Sequence, residues 1–420
     1  MKEITVVTVT WNSARLLAGL VDVLSQLAPS CEVLISDNAS SDGTPDLVRE
    51  LLPEAVVLEN PVNGGFGYAN NRALEMCTTP YVLFLNADAA ISLSSLEHLL
   101  SELKANPDAA AVQPLIRLWG WPLVTLSAGT ALTPFGEGYD LDFMRFQPRP
   151  HERTIHVPGV TAAVSLFRRA ALEFAGGFDE RFFMYFEDTD LCMRLAAKGY
   201  TFLLVPSATA SHMSGASSTR SEALEWELIS TILIARRFLA AEGSRLPEHW
   251  MCRERRIRLS RMARGKSSGW RRRAFSKAMT IPIEKVSLPV HVLEQLLEKR
   301  PDREPVPRPP KPSGVLDTAG ELEAGPGWLP TRILAECAFA CIRTPLKTGR
   351  AEFLLRSANL AGSVSLWSDE GIMDRTLVSP GAEFLLSCDV RPGDMALYIV
   401  PDRIGMGTVL THAEFIAEVR

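Results

Sequence analysis

Near the start of the chain, four apolar runs alternate with stretches of helical period: ITVVTVT (4–10), EVLIS (32–36), AVVLEN (55–60) and YVLFL (81–85). Runs rich in Val, Ile and Leu with no polar face suit strands that are buried on both sides. That pattern admits one main solution, a parallel sheet with helices packed on its two faces. The intervening segments carry helix punctuation. Ser13 is placed to cap the helix over 13–27, and Thr44 to cap the next, with Pro45 at its first position. YANNRALEMC supplies a third helix.

Sheets of this kind bind their ligands beyond the carboxyl ends of the strands. The four runs end in TWNS, SDNASSDGT, NGGFGYANN and NADA, all polar. Asp88 therefore stands on a rim where a hard cation would share its coordination between a protein carboxylate, phosphate oxygens and water. The plainer reading makes Asn86 and Asp88 a turn or cap. Asp37 is placed to accept a hydrogen bond from the imide N–H of a pyrimidine base, while Ser40 to Thr44 reads as a loop into a capped helix. The glycines of NGGFGYANN permit a positive φ or a close phosphate, yet no Gly-Lys-Ser/Thr follows and no G-x-G-x-x-G follows the first strand.

Beyond residue 118 turn residues multiply, and the segment reads as loop or excursion. TAAVSLFRRAALEFAGGF restores a strand and a helix stopped by Gly176-Gly177. FFMYFEDTDLCMR (182–194) then sets Glu187, Asp188 and Asp190 behind Phe182, Phe183, Tyr185 and Phe186. Two readings stand: a helix whose acidic first turn complements the macrodipole, or a carboxylate walled by aromatic residues. Asp190 is expected to pair with Arg194 one turn on. Gly199 stops this helix, TFLLVP forms the next strand, and residues 222–242 form a strongly apolar helix.

Taken together and in this order, VTVTWNS, SDNASSDGT, NGGFGYANN, LNADA, GGFDERFFMYFEDTDLCMRLAAKGY and SHMSGAS resemble the family 2 glycosyltransferases, with a rhamnosyltransferase-like subgroup nearest. The similarity covers roughly residues 3–240. It implies a GT-A fold and an inverting, metal-dependent transfer from a nucleotide-sugar donor, with Mg²⁺ or Mn²⁺ as cofactor. Carried over by position, Asp188 is the catalytic base, with Glu187 orienting the acceptor. Thr10, Asn12, Asp37, Asn38, Gly65, Phe66, Asn71 and Asn86 line the donor nucleotide, and Asp88 and His212 hold the metal. Asn86 departs from the first acid of a DXD motif. The reaction expected is transfer from a TDP-rhamnose or UDP-sugar donor to a hydroxyl of a glycan or lipid-linked acceptor in surface polysaccharide synthesis. The alternative is a non-catalytic sugar or nucleotide-sugar binding protein that keeps the fold.

The domain organisation expected is a GT-A domain over 1–240, a helical basic extension over 241–299, a Pro-rich linker over 300–319 and a β-rich, sandwich-like module over 320–420. The last follows from short runs such as EFLLRS, SVSLWSD and MALYIVP set between turn residues. Trp367 there is either core or a sugar-stacking surface, and the module is a candidate for oligomerisation. A net charge of −5 and the lack of a nucleic-acid fold argue against a nucleic-acid partner. Seven scattered cysteines suit a reduced, cytoplasmic setting. No run of about 18 apolar residues suggests a spanning helix. Residues 253–273, with ten basic residues against one acid, are a candidate contact with the anionic inner face of a membrane.

Overall fold

The computed structural model describes residues 2–132, 136–143, 145–147, 153–213, 220–239 and 269–288, with nine strands between Leu322 and Ala417. Two compact units result: Met1–Trp119, Thr125–Met144 and Pro150–Arg300 in one, and Gly120–Val124, Arg145–Arg149 and Pro301–Arg420 in the other.

The first unit is built on β1 (Ile4–Thr10), β2 (Glu32–Asp37), β3 (Val56–Glu59) and β4 (Tyr81–Leu85), parallel in the order β4-β1-β2-β3. The inner residues of β1, β2 and β4, Val6, Val7, Ile35, Leu83 and Phe84 among them, are fully buried, as runs covered on both faces must be, whereas β3, at the sheet edge, is only half-buried, with Val56 exposed. Helices α1 (Leu17–Leu27), α2 (Thr44–Leu51), α3 (Phe66–Leu74) and α4 (Leu93–Ala105) alternate with the strands. In register, Thr10 pairs with Asp37, so the ends of β1 and β2 lie level on one rim.

Two helix starts differ from expectation. Ser13 makes no capping bond; its N–H donates to Thr44 Oγ1, and residues Ala14–Leu16 form a 3₁₀ turn before α1. At α2 the cap position falls to Gly43 at φ 82°, because the Thr44 hydroxyl is engaged by Asp42 at 2.6 Å.

The sheet is mixed rather than purely parallel. The short β5 (Ala89–Ile91) and the long β6 (Ala109–Leu118) follow, then β7 (Trp121–Ser127), β8 (Thr130–Leu132), β9 (Gly138–Asp140), β10 (Arg145–Phe146) and β11 (Ile155–Val157). The stretch read as loop thus holds short strands, of which β8 and β9 form a hairpin. β12 (Val164–Arg168) lies antiparallel between β4 and β6, with Val164 beside Leu85. β13 (Thr201–His212) continues well past the expected strand end. A register slip between Val205 and Thr209 along β6 absorbs Pro206 and lets the strand run on to pair His212 with Ala89.

Helices α5 (Arg169–Ala175), α6 (Glu187–Ala196) and α7 (Arg220–Ile234) complete this unit, together with a π-helical turn at Ala235–Leu239 and α8 (Gly269–Thr280). Phe84 meets Phe167 and Phe178 edge to face at 5.4 and 5.2 Å within the core of this unit.

The second unit is all-β in its described residues: a five-stranded and a four-stranded antiparallel sheet. The Pro-rich stretch, most of 253–273 and the side chain of Trp367 lie outside the described residues.

Candidate active site

The aromatic-acidic segment shapes the site through its backbone. Tyr185 and Phe186 have φ of 69° and 65°, two successive bulky residues in the left-handed region. Each such residue costs about 1–3 kcal/mol and persists only where packing holds it. Here Phe183 stacks on Trp226 of α7 at 4.5 Å, and the Met184 carbonyl accepts from Ser230. The ring of Phe186 lies against Gly138 of β9, where a Cβ would come within 2.5 Å of it. This kink starts α6 and sets Glu187, Asp188 and Asp190 in its first turn, at the positive end of the helix dipole.

The three carboxylates have three different fates. Asp190 is wholly buried and ion-paired, to Arg194 at 2.8 Å as the spacing predicts, and also to Arg237 of the π-helical turn. Asp188 is half-buried. One carboxylate oxygen accepts from the Ala162 N–H at 3.0 Å and the other from the Thr189 N–H at 2.6 Å. Burial raises its proton affinity above the ordinary carboxylate level, and these N–H donors oppose the rise. Glu187 is 7% exposed and its Oε2 has no partner. Burial, and after it the neighbouring charge of Asp188, push Glu187 up to about 8.

That shift has a sign that can be measured. The folded chain keeps the Glu187 proton to about pH 8, whereas the unfolded chain releases it near the ordinary glutamate value of 4.5. Across that window the fold binds more protons, so rising pH destabilises it. Glu187→Gln is expected to remove this slope: the variant gains on wild type, by on the order of a few kcal/mol, between pH 5 and pH 8. Equal pH dependence of the two melting curves would show that the carboxyl titrates as an ordinary glutamate.

On the facing side, Asn86 and Asp88 follow β4, and the long β13 brings His212 beside them. His212 Nε2 lies 2.9 Å from Asp88 Oδ1 and 3.4 Å from the Asn86 amide. Among the described residues no group of three His, Cys, Asp or Glu side chains gathers into a metal cluster. The Asp88–His212 pair is a two-ligand donor set, which fits a divalent cation that takes its remaining ligands from phosphate and water.

The two sides meet at one short segment. Ala162 N–H holds Asp188, and the carbonyl of the next residue, Ala163, accepts from Asn86 N–H at 2.9 Å. Behind this segment sits a network with no sequence signature. Gln113, fully buried on β6, accepts from Thr161 N–H at 2.8 Å and donates to Ser127 Oγ at 3.1 Å. Ser127 in turn lies close enough to Asp140 to lower its proton affinity. Asp140 is within electrostatic reach of both Asp188 and His212, and burial raises it to about 6.

The residues expected at the nucleotide occupy the adjoining rim. Asp37 is 1% exposed and accepts from Thr10 Oγ1 at 2.7 Å and from Ser40 N and Oγ at 2.8 and 2.6 Å. Asn12 at φ 48° accepts from Ser41 N–H at 2.9 Å. Asn38 donates to Asn63 and to the Gly65 carbonyl, leaving its buried Oδ1 without a partner. Gly65 sits at φ 96°, where a Cβ would lie 2.3 Å from the Phe183 carbonyl, and Phe66 N–H donates to that same carbonyl. The glycine therefore serves close approach to the aromatic segment. Asn71 bonds both the N–H and the carbonyl of Phe178, which commits its amide to the Gly177-Phe178 turn.

A family model described as glycosyl transferase family 2 matches residues 5–175. N-acetylglucosaminyl-diphospho-decaprenol L-rhamnosyltransferase of Mycobacterium tuberculosis is 30% identical over 218 residues, covering 46% of this chain and 69% of that protein. Pre-mycofactocin glycosyltransferase of the same organism is 29% identical over 215 residues, covering 50% of this chain and 43% of that protein. Among solved structures, a mannosyltransferase of Pyrobaculum calidifontis in complex with GDP-Man and Mn²⁺ aligns at 21% identity and a TM-score of 0.41, covering 56% of this chain and 64% of that one. The chain belongs to glycosyl transferase family 2 and has its GT-A-like α/β domain. Within the family it is similar to the rhamnosyltransferases.

Proposed function

We propose that this protein is an inverting, metal-dependent glycosyltransferase that moves a sugar from a nucleoside-diphosphate donor to a hydroxyl of a glycan or lipid-linked acceptor in surface polysaccharide or glycolipid synthesis. The observation that carries the reading is the Ala162–Ala163 segment, which ties a desolvated carboxylate on one side to the Asn86–Asp88–His212 group on the other. Asp88 and His212 would hold Mn²⁺ or Mg²⁺, and such an ion supplies charge neutralisation for the leaving diphosphate. The rim from Thr10 to Asn38 would take the base and ribose.

The chain's own part in the step is proton handling. The acceptor oxygen forms its bond to the anomeric carbon as the bond from that carbon to the diphosphate oxygen breaks. The electron pair leaves with the diphosphate, and the hydroxyl proton passes to Asp188. Raised proton affinity suits Asp188 to this role, and the wall of Phe183, Tyr185 and Phe186 limits water that would otherwise hydrolyse the donor. A purely binding protein has no use for a carboxylate lodged at this cost.

Asp88→Ala is expected to remove the metal-dependent part of nucleotide affinity, a loss of about 10- to 100-fold for a charged ligand. Calorimetry with UDP and TDP, with and without Mn²⁺, checks it; affinity that stays metal-dependent in the variant would exclude Asp88 as a ligand. Among the described residues no helix is long and apolar enough to cross a membrane. Access to a lipid-linked acceptor would then use a surface contact, with residues 253–273 as the proposed segment.

A further inference from the structure

We infer that Asp140 is a donor-sugar residue: its carboxylate accepts hydrogen bonds from ring hydroxyls of the glycosyl group, between the base and the cation-binding pair. The inference rests on the reading above and adds a binding residue to it.

Its placement follows from strand geometry. Along a strand, residues two apart project to the same face. Gly138 turns its open Cβ direction onto the ring of Phe186, and Asp140 is two residues further along β9. Asp140 therefore projects toward the kink that starts α6, where Asp188 stands two residues beyond Phe186. It also interacts electrostatically with His212, which is bonded to Asp88. One carboxylate thus neighbours both the proton acceptor and the cation-binding pair. In an in-line transfer the sugar ring occupies that interval, because its anomeric carbon lies between the acceptor oxygen and the diphosphate.

The chemistry fits a hydroxyl-bearing ring. An ionised carboxylate accepts but does not donate, and sugar hydroxyls are the O–H donors available there. Asp140 keeps part of its surface open. Ser127, fixed through Gln113 to the Thr161 backbone, lies close to its carboxylate, and the strand partner of Asp140, Thr130, bridges to Gly159, so Asp140 is placed by backbone tied in just before the 161–163 segment. A carboxylate preorganised in this way discriminates donors by which ring positions carry a hydroxyl, since a missing one leaves it desolvated and unpaired. The bare nucleoside diphosphate lacks the glycosyl ring, and its ribose lies on the base side, away from this carboxylate.

The test separates ring from nucleotide. Wild type, Asp140→Asn and Asp140→Ala are titrated with UDP, TDP and GDP and with UDP-glucose, UDP-N-acetylglucosamine, TDP-rhamnose and GDP-mannose, all with Mn²⁺. The expected result is a loss of about 10- to 100-fold in affinity for whichever sugar nucleotide wild type prefers. Affinity for the matching bare diphosphate should stay within about twofold, giving a selective loss that a merely structural role would not produce. Equal losses for both ligands, or none for either, overturn the assignment. Wild type that binds no sugar nucleotide at all would overturn the functional reading as well, which distinguishes the two failures.

Discussion

Asp188→Asn is expected to lower turnover by about 10²- to 10⁴-fold, the usual contribution of a positioned general base, with nucleotide affinity nearly unchanged. The variant keeps the side chain's size and its bond from Thr189 N–H, and it loses an acceptor only toward Ala162 N–H. Because Asp188 bonds none of Asp88, His212 or Asp37, binding of the diphosphate and base should persist. Single-turnover transfer to an acceptor, read beside calorimetry with the nucleoside diphosphate, checks both halves. Normal turnover would remove Asp188 from the chemistry; loss of nucleotide binding would place it on the donor side. Replacing the neighbouring charge also eases Glu187, whose elevated proton affinity derives in part from Asp188.

The second large effect is on stability. Arg237 is 4% exposed and pairs with both Asp190 and Asp179. Arg237→Met removes the cation and leaves Asp190 with Arg194 alone, at 0% exposure. Breaking a buried pair from one side costs about 3–5 kcal/mol, because a desolvated charge stays behind. Urea denaturation of the first unit in the full chain is expected to show a loss of that order. Adding Asp190→Asn to Arg237→Met should deepen the loss, since Arg194 then loses its carboxylate partner. A loss below about 1 kcal/mol would mean that water reaches Asp190 and replaces the guanidinium.

The parts of this fold that were legible in the sequence are the locally encoded ones. β1, β2 and β4 announce themselves as apolar runs, and the stop at Gly176-Gly177 needs only its two residues, both at positive φ. The Asp190–Arg194 pair follows from helix spacing. The length of β13 was hidden because Pro206 looks like a strand end until the register slip along β6 is known. Gln113, Ser127, Asp140 and Arg237 were missed for a shared reason. Each matters through a partner more than ten residues away, and none sits in a segment whose periodicity sets it apart. Asn71, expected among the nucleotide residues, is bound at both ends to Phe178, a partner 107 residues downstream that its motif does not announce.

The Ala162–Ala163 segment holds the carboxylate proposed as proton acceptor through its N–H at one end, and the strand end proposed to carry the cation through its carbonyl at the other. One peptide group separates the two bonds, so a shift of this segment large enough to break one displaces the atoms that make the other. On the proposed reading, grip on the donor and readiness for reaction are consequently coupled. A rearrangement that opens one half for product departure is then expected to disturb the other, linking release of the spent diphosphate to resetting of the base.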